Sequence, residues 1–313
     1  MARPFQLPSG LAELKARADQ VRTAYDQRTG CDAGSMAWHI WGEGEPLVLV
    51  HGGHGSWLQW QKNVAGLSRH RRLLVCDLPG YGDSDELLPL DDVDGHALAL
   101  ANGIRQLVPG TERVDVAAFS AGALIMARLD ALAPHLVRRL ILVGSGGLGP
   151  PWYVPEFCSV RGLTGEALRE ANRCNLAMFM FHDAARIDDG AIAMNMFGAP
   201  RMRSRTAMKV VPDGLVRALE QAGAPVDLIW ADHDFTHPGP ELHHDVVRRL
   251  QPDAGLRVIA DCGHWSMGEQ PEAFNAALLD LLAQPVRSRR DDRDTDDKDE
   301  VNPAVPVGQL QQC

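Results

Sequence analysis

Short apolar runs recur along the middle of the chain, each closing on a turn-forming cluster. Leu47-Val48-Leu49-Val50 ends in His51-Gly52-Gly53, and Leu73-Leu74-Val75-Cys76 ends in Asp77-Leu78-Pro79-Gly80. Val114 to Ala118, Leu140 to Val143, Val226 to Trp230 and Leu256 to Ala260 repeat the theme, and Ser35 to Trp41 alternates weakly. Continuous apolar runs of this length suit strands of a parallel sheet covered on both faces. Between most of them, apolar residues fall three and four apart, predicting helices over Trp57–Leu67, Asp92–Leu107, Ala121–Leu132, Glu241–Leu250 and Pro271–Leu282. Strand and helix in alternation predict an α/β fold with a mostly parallel, doubly wound sheet.

The alternation fails in three places. From about residue 146 to 211 no strand pattern stands out, and Met178, Phe179, Met180, Phe181, Met194, Met196 and Phe197 fall on helix-like pieces. This stretch predicts a helical cap inserted over the carboxyl edge of a sheet built from residues 31–145 and 212–284. Most of its Met and Phe side chains are expected to pack cap helices, with some lining an apolar pocket. Leu11, Leu14, Ala18, Val21 and Tyr25 recur at helical spacing, predicting an N-terminal helical segment over 1–30. Residues 285–313 are expected to form a disordered charged tail, because twelve of the fourteen residues from Arg287 to Glu300 are charged.

With 313 residues the chain suits one large domain with an insertion, and its 45% hydrophobic and 23% charged residues are ordinary for a globular enzyme. A net charge of −10 argues against a nucleic-acid partner. No apolar run is long enough to cross a bilayer, so no membrane partner is expected. Met1 to Phe5 lacks the apolar core of a secretory signal. The six cysteines, at 31, 76, 158, 174, 262 and 313, contain no C-x-x-C pair. They read as free thiols in a reducing, cytoplasmic setting.

The candidate chemistry centres on Ala118-Phe119-Ser120-Ala121-Gly122, between a predicted strand and a predicted helix. A serine at such a sharp turn is the geometry of a nucleophile elbow, usually G-x-S-x-G, with Ala118 here in place of the first glycine. A serine hydroxyl needs a base, and the base needs an orienting acid. Two later strands deliver candidates: one runs into Ala231-Asp232-His233-Asp234-Phe235-Thr236-His237-Pro238, the next into Asp261-Cys262-Gly263-His264-Trp265. Serine, acid and histidine thus follow in order, each just after a strand.

On these motifs, with His51-Gly52-Gly53 and Asp77 to Ser84, the chain resembles the α/β-hydrolase superfamily over roughly residues 30–284. Within it the chain is similar to capped enzymes that hydrolyse carbon–carbon bonds in meta-cleavage products of aromatic rings, through Leu142 to Gly149 and through Gly263-His264-Trp265 followed by Glu269. The resemblance implies Ser120 as nucleophile, His264 as base and Asp234 as acid, with Asp232 as the alternative. It implies oxyanion donors at the backbone N–H groups of Gly53 and Ala121. His51 and His54 read as structural, and Cys262 as a small buried residue. Trp57, Phe119, Trp265 and Arg201 are candidate pocket residues; Arg201, Arg203 and Arg205 all compete for the cap arginine that binds a substrate carboxylate in the carbon–carbon hydrolases.

No cofactor is expected. His233, Asp234, His237 and the nearby His243-His244 form a histidine-rich stretch, but no H-e-x-x-h type helix is present and no catalytic metal is expected. The chain therefore reads as a serine hydrolase acting on a small molecule, either an ester or a vinylogous diketone. A ligand receptor on the same fold is the alternative, and homo-oligomerisation is left open by the sequence.

Overall fold

A computed structural model of the protein describes residues 25–31, 34–110, 113–149 and 151–289. Among the described residues eight strands form one sheet: β1 (Tyr25–Cys31), β2 (Gly34–Trp41), β3 (Pro46–Val50), β4 (Arg72–Cys76), β5 (Val114–Phe119), β6 (Val137–Val143), β7 (Val226–Ala231) and β8 (Leu256–Ile259). Their spatial order is β1-β2-β4-β3-β5-β6-β7-β8. The first two pairings are antiparallel, and every pairing from β4 to β8 is parallel. The helices are α1 (Gln61–Leu67), α2 (Val93–Leu107), α3 (Gly122–Leu132), α4 (Gly165–Phe179), α5 (Asp189–Gly198), α6 (Gly214–Leu219), α7 (Pro240–Leu250), α8 (Ser266–Glu269) and α9 (Pro271–Ala283).

Strand periodicity divides the core into two layers. Val48 and Val50 face one side, with Leu100 and Ile104 of α2, Leu129 of α3 and Val247 of α7. Leu47 and Leu49 face the other, with Val64 and Leu67 of α1 and Phe274 and Leu278 of α9. Because successive side chains point to opposite faces and both faces are covered, these strands read as unbroken apolar runs.

Between β6 and α6 the described chain is helical or irregular, with α4, α5 and short 3₁₀ turns. Met180, Phe181, Met194 and Phe197 are buried in the second layer, so the packing role expected for most cap Met and Phe residues fits these four.

Three expectations need correction. Residues 25–31 are an edge strand, not the end of a helix; its partner β2 supplies the hydrogen bonds, so Tyr-Asp-Gln-Arg-Thr-Gly-Cys needs no apolar run. The helix expected earlier lies outside the described residues apart from Tyr25. Cys158 and Cys174 are joined by a disulfide, which ties the irregular stretch entering the cap to α4, while Cys76 and Cys262 are free and buried. The charged tail does not begin at 285. Arg289 is buried against Asp130, with Nη1 donating to Oδ1 at 2.9 Å. The backbone N–H groups of Gly223 and Ala224 also donate to Asp130. Arg287 pairs with Asp227 at 2.8 Å. Buried carboxylates thus recruit the first arginines of the charged run. The rest of the expected tail lies outside the described residues.

Candidate active site

The site is assembled at the carboxyl ends of β3, β5, β7 and β8. Ser120 leaves β5 with φ 49°, in the left-handed region that non-glycine residues seldom adopt. Its N–H donates to Val143 O of the neighbouring strand at 2.9 Å, which fixes the turn. Gly122 opens α3 so close to the β3 loop that a Cβ there would stand 2.4 Å from His51 O. Glycine is therefore a steric requirement at 122. The sequence departs from the usual elbow at Ala118 without conflict: the methyl is buried in the first layer, on a residue in register with Val50 and Leu142.

His264 Nε2 lies 3.2 Å from Ser120 Oγ, and His264 Nδ1 lies 2.7 Å from Asp234 Oδ2. Asp234 is buried, and its Oδ1 accepts from the Thr236 N–H, the Thr236 hydroxyl and the His237 N–H at 2.9, 2.7 and 3.0 Å. Burial works to raise the Asp234 pKa, but the facing His264 and His237 and the surrounding donors outweigh it and hold it at about 2. Asp232 has another task. Its carboxylate accepts from the N–H groups of Asp261 and Cys262, at 3.0 and 3.3 Å, and so braces the loop that carries His264.

The loop after β3 is shaped from below. His51 Nε2 accepts from Leu78 N–H at 3.0 Å, while Nδ1 meets Gly52 O at 2.8 Å. Burial lowers its pKa to about 4 against the pull of that carbonyl, so His51 is a neutral brace. Asp77 accepts from the N–H groups of Trp57 and Asp83, as expected for a carboxylate holding local backbone. The backbone N–H groups of Gly53 and Ala121 have no hydrogen-bond acceptor among the described residues, and both residues border the cavity beside Ser120.

That cavity holds about 200 Å³. Ser120, Thr236, His237 and His264 give it a polar floor. Trp152, Tyr153, Val154, Pro155 and Phe157 wall it from the segment entering the cap, with Phe179 at the end of α4 and Val210 and Val211 opposite. No arginine or lysine lines it among the described residues.

None of the four candidate pocket residues lines this cavity. Trp57 is buried in a stack on His39, with ring centroids 4.2 Å apart. Trp265 is fully buried and its indole N–H donates to Gln59 O at 2.9 Å. Phe119 lies under the His264 ring at 4.8 Å. Arg201 lies over the Phe197 ring at 4.0 Å and donates to Phe197 O. Arg203 pairs with Glu86 at 3.1 Å. Burial and local partners claim these particular side chains, while other aromatic residues, Trp152, Tyr153, Phe157 and Phe179, form the wall. The better signal was Trp152-Tyr153-Val154-Pro155, an apolar stretch with prolines on both sides and no helical spacing. His54, expected to be structural, also borders the cavity, against Phe157 and Phe179.

Glu269 fastens cap to core. It is buried and accepts from the N–H groups of Gly263, His182 and Asp183 at 2.7, 2.9 and 2.8 Å. Of the histidine-rich stretch, His233 stacks outside on His182, His243 on Trp230, and His244 meets Ala254 O. Asp234, His237 and His264 do cluster closely enough to share an ion. The Thr236 hydroxyl stands among them, 2.7 Å from Asp234 Oδ1, 2.8 Å from His237 Nδ1 and 3.0 Å from His264 Nδ1.

Residues 47–277 match the model of the alpha/beta hydrolase family. The chain is 29% identical over 259 residues to a 2-hydroxy-6-oxononadienedioate/2-hydroxy-6-oxononatrienedioate hydrolase of Paraburkholderia phymatum, covering 77% of this chain and 88% of the relative. It is 30% identical over 258 residues to the enzyme of the same name from Burkholderia vietnamiensis, covering 76% and 87%. Carboxylesterase CesB from Bacillus subtilis shares the fold, with a TM-score of 0.67, 19% identity, and coverage of 88% of this chain and 98% of that one. With the strand order, the elbow and these matches in agreement, the chain belongs to the alpha/beta hydrolase family.

Proposed function

We propose that the protein is a serine hydrolase that cleaves esters of small, uncharged, largely apolar molecules. The observation that carries this reading is the hydrogen-bonded line from Ser120 through His264 to Asp234, opening on a cavity whose described walls hold no cationic side chain. As Ser120 Oγ attacks the ester carbonyl, His264 Nε2 takes its proton and Asp234 stabilises the imidazolium. The N–H groups of Gly53 and Ala121 receive the charge that develops on the carbonyl oxygen. His264 then returns the proton to the departing alcohol. Water hydrolyses the acyl-enzyme with His264 again as base.

Carbon–carbon bond hydrolysis is the second reading, favoured by the names of the relatives above. The substrates in those names are dioates, and a dioate would need a cation that the described cavity walls do not offer. We take the cytoplasm as the setting, a reading supported by the free, buried Cys76 and Cys262, with the Cys158–Cys174 bridge an exception to it.

Wild type and Ser120→Ala, given p-nitrophenyl butyrate and a fluorophosphonate probe, test the reading. Labelling and turnover by wild type alone are expected. An unlabelled wild type overturns the serine mechanism. Labelling without ester turnover, with bleaching of a 2-hydroxy-6-oxo-dienoate, transfers the assignment to carbon–carbon cleavage.

A further inference from the structure

His237 is the one imidazole of the acid loop that reaches the cavity, and the hydrogen bonds around it fix where its proton sits. Thr236 Oγ1 lies 2.7 Å from Asp234 Oδ1, 2.8 Å from His237 Nδ1 and 3.0 Å from His264 Nδ1. A hydroxyl has one proton to give. Asp234 is an ionised, acceptor-only carboxylate, so the Thr236 proton points to Oδ1. His264 Nδ1 carries its own proton toward Asp234 Oδ2, because Nε2 faces Ser120 Oγ as acceptor. Thr236 Oγ1 can then only accept from His237. A bare Nδ1 at 2.8 Å would set two lone pairs against each other. His237 therefore carries its proton on Nδ1, and burial keeps the ring neutral. Its Nε2 is left as a bare acceptor.

The surroundings hold that nitrogen at the wall. The His237 backbone is pinned at both ends: its N–H donates to Asp234 Oδ1 at 3.0 Å, and its carbonyl accepts from the Trp230 indole at 2.9 Å. The ring lies edge-on to Trp230 and His243. Gly146 faces Nε2, and a Cβ at 146 would stand 2.8 Å from it. Glycine at 146 thus leaves the nitrogen uncovered. Both residues border the same cavity as Ser120 and His264, whose remaining walls are apolar apart from Thr236 and the His54 ring, which lies against Phe157 and Phe179.

We infer that His237 Nε2 is a specificity-determining acceptor that binds a hydroxyl of the substrate, so that the preferred substrates are hydroxyl-bearing esters. The inference rests on the esterase reading and narrows it to a substrate class. An acceptor in an apolar wall discriminates strongly, because a substrate without a donor leaves it unsatisfied.

The test compares phenyl 3-hydroxybutyrate with phenyl 3-methoxybutyrate, and 2-hydroxyethyl butyrate with 2-methoxyethyl butyrate, which place the donor on the acyl and the alcohol side. In wild type the hydroxyl ester of at least one pair is expected to show kcat/KM about tenfold above its methoxy partner. In His237→Phe that ratio is expected to fall to about one, whatever happens to the absolute rate. Ratios near one in both pairs for wild type, or a ratio that survives His237→Phe, overturn the inference. If His237→Phe does not fold, histidine ¹⁵N NMR of wild type decides: a protonated Nδ1 and bare Nε2 at His237 are expected, and the opposite tautomer overturns the inference. If no ester is turned over, the esterase reading fails on its own. His237 is then judged in Ser120→Ala, where phenyl 3-hydroxybutyrate but not its methoxy analogue should move the Nε2 resonance, and equal shifts reject the acceptor.

Discussion

The strand-end loops and the cap meet at one cavity, but they are specified in different ways. In the loops each functional position is forced locally. Ser120 sits at a positive φ, Gly122 has no room for a Cβ beside His51 O, and Asp234 is surrounded by N–H and O–H donors within two to three residues of itself. The cap has little of that local determination. It is held by distant partners, Glu269 under His182 and Asp183 and Arg186 on Asp261 O at 2.6 Å, and tied within itself by the Cys158–Cys174 bridge. Local determination suits chemistry that tolerates no displacement, while tertiary fastening lets a substrate-facing wall vary.

The largest expected effect breaks the loop side of this contrast. Ser120→Ala should lower ester kcat by at least about 10⁴-fold and abolish fluorophosphonate labelling. Its melting temperature should stay close to wild type, since alanine at 120 inherits the same backbone. In the same acid loop, Asp234→Asn should cost about 10⁴ in kcat, because the amide cannot stabilise the imidazolium. Asp232→Asn should cost less than about tenfold and act through the stability of the His264 loop. Equal losses in the two variants would erase the distinction drawn between these carboxylates.

Glu269→Gln is the corresponding break at the junction of the two regions. One carboxylate serves three backbone donors, and an amide offers a single acceptor oxygen in their place. A loss of about 2–3 kcal/mol in unfolding free energy is expected by denaturant titration. Both KM and kcat should suffer, because Glu269 holds the Gly263 N–H beside His264 as well as the cap backbone at His182 and Asp183.

How legible each region was follows from the same contrast. The parallel strands announce themselves because both their faces are buried, and Ser120, Asp234 and His264 stand just beyond them. The edge strand β1 was read as helix because half its bonding surface belongs to β2 and nothing in Tyr25 to Cys31 carries an apolar stripe. Arg289 was read as tail because its partner, Asp130, lies 159 positions away. Trp57 and Trp265, next to the motifs after β3 and β8, are buried in the core, while the wall itself comes from an irregular proline-flanked stretch.

Acid should separate the regions further. Burial lowers the pKa of His51 and His96 to about 4, and of His237 to about 3, from an ordinary 6.5. All three lie on the core side. Below pH 6.5 the unfolded chain takes up protons that these folded imidazoles refuse, so stability falls with falling pH. Each contributes up to about 1.4 kcal/mol per pH unit. The decline should begin near pH 6.5 and level off for these groups near pH 4 to 3, where the folded rings also protonate. Asp234 adds its own loss only below its ordinary carboxylate range, between about 4 and 2. Urea midpoints measured from pH 8 to 4 that show no downward slope below pH 6.5 would contradict neutral buried histidines in the core.

The smallest expected effect belongs to the cap alone. The Cys158–Cys174 bridge spans 16 positions, from the segment that walls the cavity to α4. Closing a loop of that length stabilises by about 3 kcal/mol at most, and only where the unfolded chain would otherwise be free. Here Asn175 already clamps the same junction, with Cys158 N–H donating to its Oδ1 at 2.7 Å and its Nδ2 donating to Cys158 O at 3.1 Å. Much of the geometry therefore survives reduction. Cys158→Ser combined with Cys174→Ser should lower the melting temperature by no more than about 6–12 °C. It should raise KM a few-fold, because Phe157 moves with Cys158, and leave kcat for p-nitrophenyl butyrate near wild type. A large fall in kcat instead would mean that the cap helps to place Ser120 and His264, and the division between locally fixed chemistry and a fastened-on wall would fail.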